Sequence, residues 1–160
     1  MSTATLNQYN SDLIISKNQP PKDVKLEADE VLMRVFSCGV CHTDVHAIDG
    51  DWDTKSKLPL TPGHEGAGVI IQAGQNASHK VGDRVGIPWL FSTCHSCEYC
   101  LTGWEALCIN QKNSGYSVDG CLQEYIVAKS VHCIPIPHNL SFEQASRKSI
   151  LLERHCLSSF

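Results

Sequence analysis

Apolar residues along this chain arrive in short runs closed by glycine or proline, a pattern that predicts extended segments. Residues 31–36 are rich in branched and aromatic side chains after a polar stretch and read as a strand. Residues 69–71, following Gly66 and Gly68, read as another. Within residues 80–87, Gly82 and Asp83 sit between valines, a tight-turn signal between short extended pieces. Further strands are predicted at residues 122–127 and 131–136, the second stopped by Pro135 and Pro137. Two segments read as helical. Residues 41–48 hold few breakers and place His42, Thr43 and His46 on a short helix. Ser141 and Gln144 form a capping box, in which hydroxyl and amide satisfy the free N–H groups of a helix start. Residues 141–160 contain no glycine or proline, which predicts a C-terminal helix whose face, Phe142, Ala145, Ile150, Leu151, Leu152 and Leu157, is only weakly apolar. Short strands at this density predict a mainly β fold with a few short helices, as a barrel or sandwich.

Length and charge narrow the classes. With 160 residues, 42% of them hydrophobic, the chain builds about one ordinary core. A net charge of −4 with dispersed basic residues argues against a surface that tracks nucleic-acid phosphates. No apolar stretch approaches the roughly 20 residues needed to cross a bilayer. Residues 1–21 are polar, without a basic segment leading into an apolar one, so no secretory signal is read. The expectation is a soluble cytoplasmic protein with neither nucleic-acid nor membrane partners.

Nine cysteines change the picture. Cys94, Cys97, Cys100 and Cys108 lie in the run C-H-S-C-E-Y-C-L-T-G-W-E-A-L-C. A CxxC turn brings two sulfurs to about 2.3 Å from one zinc ion, and four thiolates close its tetrahedral shell, so the quartet predicts a structural zinc site. A disulfide framework needs an oxidising compartment that the polar N-terminus does not suggest. The bacterial iron–sulfur spacing ends in C-x₃-C-P, whereas here the last interval is longer and Ile109 follows. Four thiolates leave no position for a substrate, so chemistry must lie elsewhere.

Upstream stand C-G-V-C-H-T-D-V-H at residues 38–46 and G-H-E-G-A-G at 63–68. Cys41 offers a thiolate, His64 an imidazole and Glu65 a carboxylate, and catalytic zinc sites use three such ligands with one open position. Spacing alone leaves the alternative of scattered core cysteines and surface histidines open.

Taken together, C-G-V-C-H-T-D-V-H, D-G-D-W, K-L-P-L, P-G-H-E-G-A-G, V-G-D-R-V-G-I-P-W, C-E-Y-C-L-T-G-W-E-A-L-C and S-G-Y-S-V-D-G resemble, in order and spacing, the zinc-dependent medium-chain alcohol dehydrogenases of the yeast and bacterial short-chain-alcohol type. The resemblance runs over residues 31–145. It implies a GroES-like β-barrel catalytic domain over residues 1–145 with a zinc-binding lobe at about 92–112. It implies Cys41 and His64 as catalytic-zinc ligands with Glu65 able to approach the metal, and Asp44 as the carboxylate orienting the site. Thr43 matches the hydroxyl that receives the alcohol proton, His46 the imidazole that passes it to solvent, and His42 the contact to the cofactor pyrophosphate. Trp52 and Trp89 resemble the aromatic pair that narrows the pocket. The implied reaction takes a small primary alcohol to an aldehyde with hydride transfer to NAD, in a homo-oligomer.

Two departures shape the expectation. A dinucleotide-binding fold needs roughly 150 residues, and the string at 63–68 reads GxxGxG, not GxGxxG. The family pattern also stops near Ala145, and residues 146–160 read as a divergent tail. By count the third catalytic-zinc cysteine should fall at Ile150; Cys156 is six residues late, about 9 Å of rise and about 240° of rotation on a helix. The expectation is therefore a truncated, mis-spliced or frame-shifted product that lacks the nucleotide-binding domain, has a weakened catalytic zinc site and is inactive alone. The competing reading is a non-catalytic zinc-binding interaction module.

Overall fold

In the computed structural model, residues 1–21 and 24–147 are described. Their polypeptide begins with an antiparallel ribbon of β1 (Ser2–Thr5) and β2 (Ile14–Lys17). The long strand β3 (Glu30–Gly39) then pairs antiparallel with β4 (Glu65–Ala73) on one side. On its other side lies β8 (Tyr125–Lys129). Strands β5 (Arg84–Ile87) and β9 (Ile134–Pro135) extend the β4 edge, giving the order β8-β3-β4-β5-β9. A second ribbon joins β6 (Leu90–Ser92) to β7 (Lys112–Asn113). The result is the expected mainly β architecture, with an open five-stranded wall and two ribbons instead of a closed ring of hydrogen bonds.

The core lies against the middle of the five-stranded sheet. Val31 and Met33 point inward with Ile70, Val85, Ile87, Ile126 and Ala128, all buried. The register slips between Leu32 and Met33 and again between Val35 and Ser37, and such bulges bend a strand. A second apolar cluster joins Ala47 of helix α1 (His42–Asp49) to Leu6, Leu60 and Tyr116, with Leu6 and Leu60 paired in an isolated antiparallel bridge. A third, Ala67, Ile136 and Ala145, seats α3 (Phe142–Ser146). The short α2 (Glu98–Leu101) lies between the two ribbon strands β6 and β7 in sequence.

Local chemistry sets the helix ends. Ser141 Oγ accepts the Gln144 N–H at 3.2 Å while Gln144 Oε1 accepts the Ser141 N–H at 3.0 Å, the expected reciprocal cap. Gly50 ends α1 at φ 61°, where a Cβ would lie 2.6 Å from the Tyr9 ring, so glycine is required there. The strand predicted at 131–136 is a correction: Ser130–His132 is a 3₁₀ turn, closed by Cys133 N–H to Ser130 O, and only Ile134–Pro135 is extended. The extended piece expected at residues 80–81 does not form, because residues 80–83 make a turn in which Asp83 Oδ2 accepts the Lys80 N–H. The helix expected beyond Arg147 lies outside the described residues.

Candidate functional site

Two sites emerge where the sequence clusters meet. Cys41 caps the N-terminus of α1, and His64 and Glu65 sit at the entry of β4. Asp44, only 3% exposed, joins the pieces. Its Oδ2 accepts the Cys41 N–H at 2.9 Å, and its Oδ1 accepts the Gly63 N–H at 3.0 Å and lies 3.4 Å from His64 Nδ1. Burial works against a charge on Asp44, yet these partners outweigh it and hold the carboxyl below its usual range. The reciprocal effect raises His64: burial opposes the imidazolium, but Asp44 and Cys41 stabilise it more. Burial and the Asp44 charge push Glu65 up, against the opposing pull of His64.

One donor atom each from Cys41, His64 and Glu65 lie within 4.8 Å of one another. His64 Nδ1 is buried, within ion-pair reach of Asp44 but at no hydrogen-bonding angle to any partner among the described residues. An imidazole backed by the Asp44 carboxylate at Nδ1 and standing beside a thiol and a carboxyl fits a metal site better than a packed core. Gly39 makes room for the carboxylate, since a Cβ there would fall 2.1 Å from Glu65 Oε2. Thr43 Oγ1 lies 3.7 Å from Cys41 Sγ, at the edge of the same cluster.

Aromatic rings wall the approach. Trp89 meets His64 edge-on at 5.2 Å, and Trp52 meets Trp89 edge-on at 6.3 Å. Trp52 also stacks on His46 at 5.1 Å, and His42, exposed, meets the His46 ring edge-on at 4.7 Å. The rings of His42, His46, Trp52, Trp89 and His64 thus form one connected series, with His46 bonded to Asp51 and not to Thr43 among the described residues.

Two residues escaped the sequence reading. Tyr116 packs against Trp52 at 5.2 Å and Trp89 at 5.7 Å and donates its hydroxyl to Thr54 O at 2.5 Å, pinning both walls. Its motif, S-G-Y-S, was visible, but a single aromatic carries no signal that separates a wall from a core. Asp51 places both oxygens on His46 Nδ1, at 2.8 and 3.0 Å. A five-residue offset is not a helical i,i+4 pair, so only the turn at Gly50 reveals it.

The four-cysteine cluster is equally compact. Cys94 Sγ lies 3.9 Å from Cys100 Sγ and 3.6 Å from Cys108 Sγ, and Cys97 and Cys100 are 3.5 Å apart. Thiolates about 2.3 Å from a tetrahedral zinc stand about 3.8 Å apart, whereas a disulfide closes to about 2.0 Å. All four cysteines are free, and the spacing fits the metal. Hydrogen bonds, first from the Ser96 N–H, pull Cys94 down to about 5. The Cys100 amide favours the Cys97 thiolate, but desolvation and the neighbouring thiols push it up to about 11. Such crowding of sulfur charge is what a cation relieves. Ile150 and Cys156 lie outside the described residues.

Residues 27–138 match the family of the alcohol dehydrogenase GroES-like domain. The chain is 52% identical over 147 residues to an alcohol dehydrogenase of Geobacillus stearothermophilus, covering 91% of this chain and 43% of that protein. It spans less than half the length of this relative. Its fold superposes on the alcohol dehydrogenase of Aeropyrum pernix with a TM-score of 0.78 at 29% identity, covering 95% of this chain and 44% of that one. The CAD protein of Helicobacter pylori, solved with NADP(H), shares the fold at a TM-score of 0.81 and 21% identity, over 92% of this chain and 44% of that chain. By its match over most of the described residues, the chain belongs to the alcohol dehydrogenase family through its GroES-like domain.

Proposed function

We propose that this chain is the zinc-bearing part of an enzyme that oxidises small primary alcohols to aldehydes with NAD, acting in the cytoplasm as a homo-oligomer without nucleic-acid or membrane partners. The observation that carries the reading is the convergence of Cys41, His64 and Glu65 donor atoms within 4.8 Å beside the Trp52–Trp89 wall. Zinc held there would supply Lewis acidity toward an alcohol oxygen. Cys41 and His64 hold the metal, Glu65 stands close enough to join them, and Asp44 fixes the orientation of His64. Thr43 takes the alcohol proton, because a hydroxyl both accepts and donates at one atom. His46 passes it toward solvent, and exposed His42 meets the cofactor pyrophosphate. Trp52 and Trp89, backed by Tyr116, wall the approach and would narrow it toward small alcohols. The Cys94, Cys97, Cys100 and Cys108 site holds its loop in shape. No helix among the described residues is long and apolar enough to cross a membrane.

Substituting cobalt for zinc tests the reading without requiring turnover. The visible spectrum of the Cys41 and His64 metal should shift on adding a primary alcohol, and Cys41→Ser should abolish that shift. A cobalt spectrum indifferent to alcohols would refute the proposal and favour a zinc-binding interaction module.

A further inference from the structure

His46 occupies the last turn of α1, where Trp52 stacks on its ring at 5.1 Å and 29° and His42 meets it edge-on. Gly50, in the left-handed region at φ 61°, donates its N–H to His46 O and turns the chain back over the ring. That turn delivers Asp51, whose two carboxylate oxygens lie 2.8 and 3.0 Å from His46 Nδ1. Lys55 donates to Gly50 O at the same corner and supports the loop.

From this geometry we propose that Asp51 is the positioning residue of His46: it fixes the imidazole proton on Nδ1 and leaves Nε2 as the acceptor. The inference rests on the reading of His46 as a proton carrier. A carboxylate accepts hydrogen bonds and donates none, so the ring nitrogen facing it must be an N–H. A neutral imidazole has one proton, and the other nitrogen is then a lone pair. The bond is charge-assisted, and the Asp51 carboxyl is held below its usual range, first by His46. Stacking on Trp52 fixes the ring plane, so the carboxylate and the indole together set both tautomer and direction. A carboxylate that orients a proton-carrying imidazole through Nδ1 acts without touching substrate.

Long-range ¹H–¹⁵N correlation on the zinc-loaded, ¹⁵N-labelled chain near pH 8.5, about two units above the ordinary histidine value of ~6.5, reads the tautomer directly. His46→Gln assigns the signals. The expected result is an excess of Nδ1–H over Nε2–H of about tenfold or more, matching a tautomer gap of about 1.4 kcal/mol. Asp51→Ala should reduce that ratio by at least about tenfold, the same increment, while the remaining amide spectrum is kept. A wild-type ring protonated on Nε2 overturns the proposal even if the variant does not fold. An unchanged ratio in a folded Asp51→Ala does so too. The wrong tautomer beside an alcohol-sensitive cobalt spectrum removes the Asp51 assignment alone, whereas an alcohol-blind cobalt spectrum removes the parent reading whatever the tautomer.

Discussion

Asp44 Oδ1 stands 3.4 Å from His64 Nδ1 while accepting the Gly63 N–H at 3.0 Å, so one buried carboxylate links the start of α1 to the loop that carries the imidazole. Replacing Asp44 with alanine leaves the Cys41 and Gly63 amides without their acceptor and removes the charge facing His64. Each buried unsatisfied group costs about 1–3 kcal/mol. Loss of a carboxylate behind a ligating imidazole typically lowers metal affinity about 10–100-fold. Urea unfolding and zinc titration of Asp44→Ala should show both losses, whereas a variant with unchanged zinc affinity would deny Asp44 its orienting role.

The two metal sites should release zinc in order. Four thiolates place more negative charge around the ion than one thiolate, one imidazole and one carboxylate. Increasing chelator should empty the Cys41 and His64 site first, leaving the Cys94 site loaded. In Cys100→Ser the quartet loses a ligand that lies 3.5 Å from Cys97 Sγ. Structural zinc contributes about 10–16 kcal/mol in small peptides, comparable with a whole domain's stability. Limited proteolysis should therefore open residues 94–108 in that variant, and an unchanged digestion pattern with full zinc content would contradict the account.

Gly39→Ala tests the space beside Glu65. Its Cβ would stand 2.1 Å from Glu65 Oε2 and 3.1 Å from Ser146 O, so the carboxylate has to move. Overpacking of this kind costs about 1–3 kcal/mol. Zinc affinity at the Cys41 site should fall while the Cys94 site keeps its metal, measured by metal content after dialysis against a weak chelator. Equal retention at both sites would mean that Glu65 takes no part.

Alkaline unfolding should expose the buried thiols. Burial pushes Cys133 from an ordinary value of 9.0 up to about 12. Its raised value stabilises the fold fully below pH 9, and that contribution is lost as the pH rises from about 9 to about 12, because the unfolded chain releases the proton first. The slope is at most about 1.4 kcal/mol per pH unit for one thiol. Urea midpoints between pH 8 and 11 should fall less steeply in Cys133→Ala than in the parent chain. Identical slopes would place the alkaline loss elsewhere.

Whereas Cys41, His64 and Glu65 stood out only through the family resemblance of the motifs around them, the sequence made the four-cysteine ligands legible because thiols at CxxC spacing admit few other readings. The Ser141 cap was legible for the same reason, since hydroxyl and amide three residues apart satisfy one another locally. Contacts made only by the fold were not. Tyr116 reaches Thr54 O across 62 residues, and no local pattern encodes that distance. The ribbons β1–β2 and β6–β7 went unseen because their strands are two to four residues long and half exposed, too short for alternation to register. The predicted strand at residue 131 failed where Ser130 Oγ accepts the Ser78 N–H at 2.8 Å and turns the chain.

Anomalous diffraction at the zinc edge, from crystals of the zinc-loaded chain soaked with a non-oxidisable primary alcohol such as trifluoroethanol, tests the central claim most directly. Two peaks are expected: one enclosed by Cys94, Cys97, Cys100 and Cys108, the other among Cys41, His64 and Glu65, with the alcohol oxygen on that second ion and its carbon chain against Trp52 and Trp89. A single peak at the four-cysteine site, or a second metal with the alcohol bound elsewhere, would contradict it.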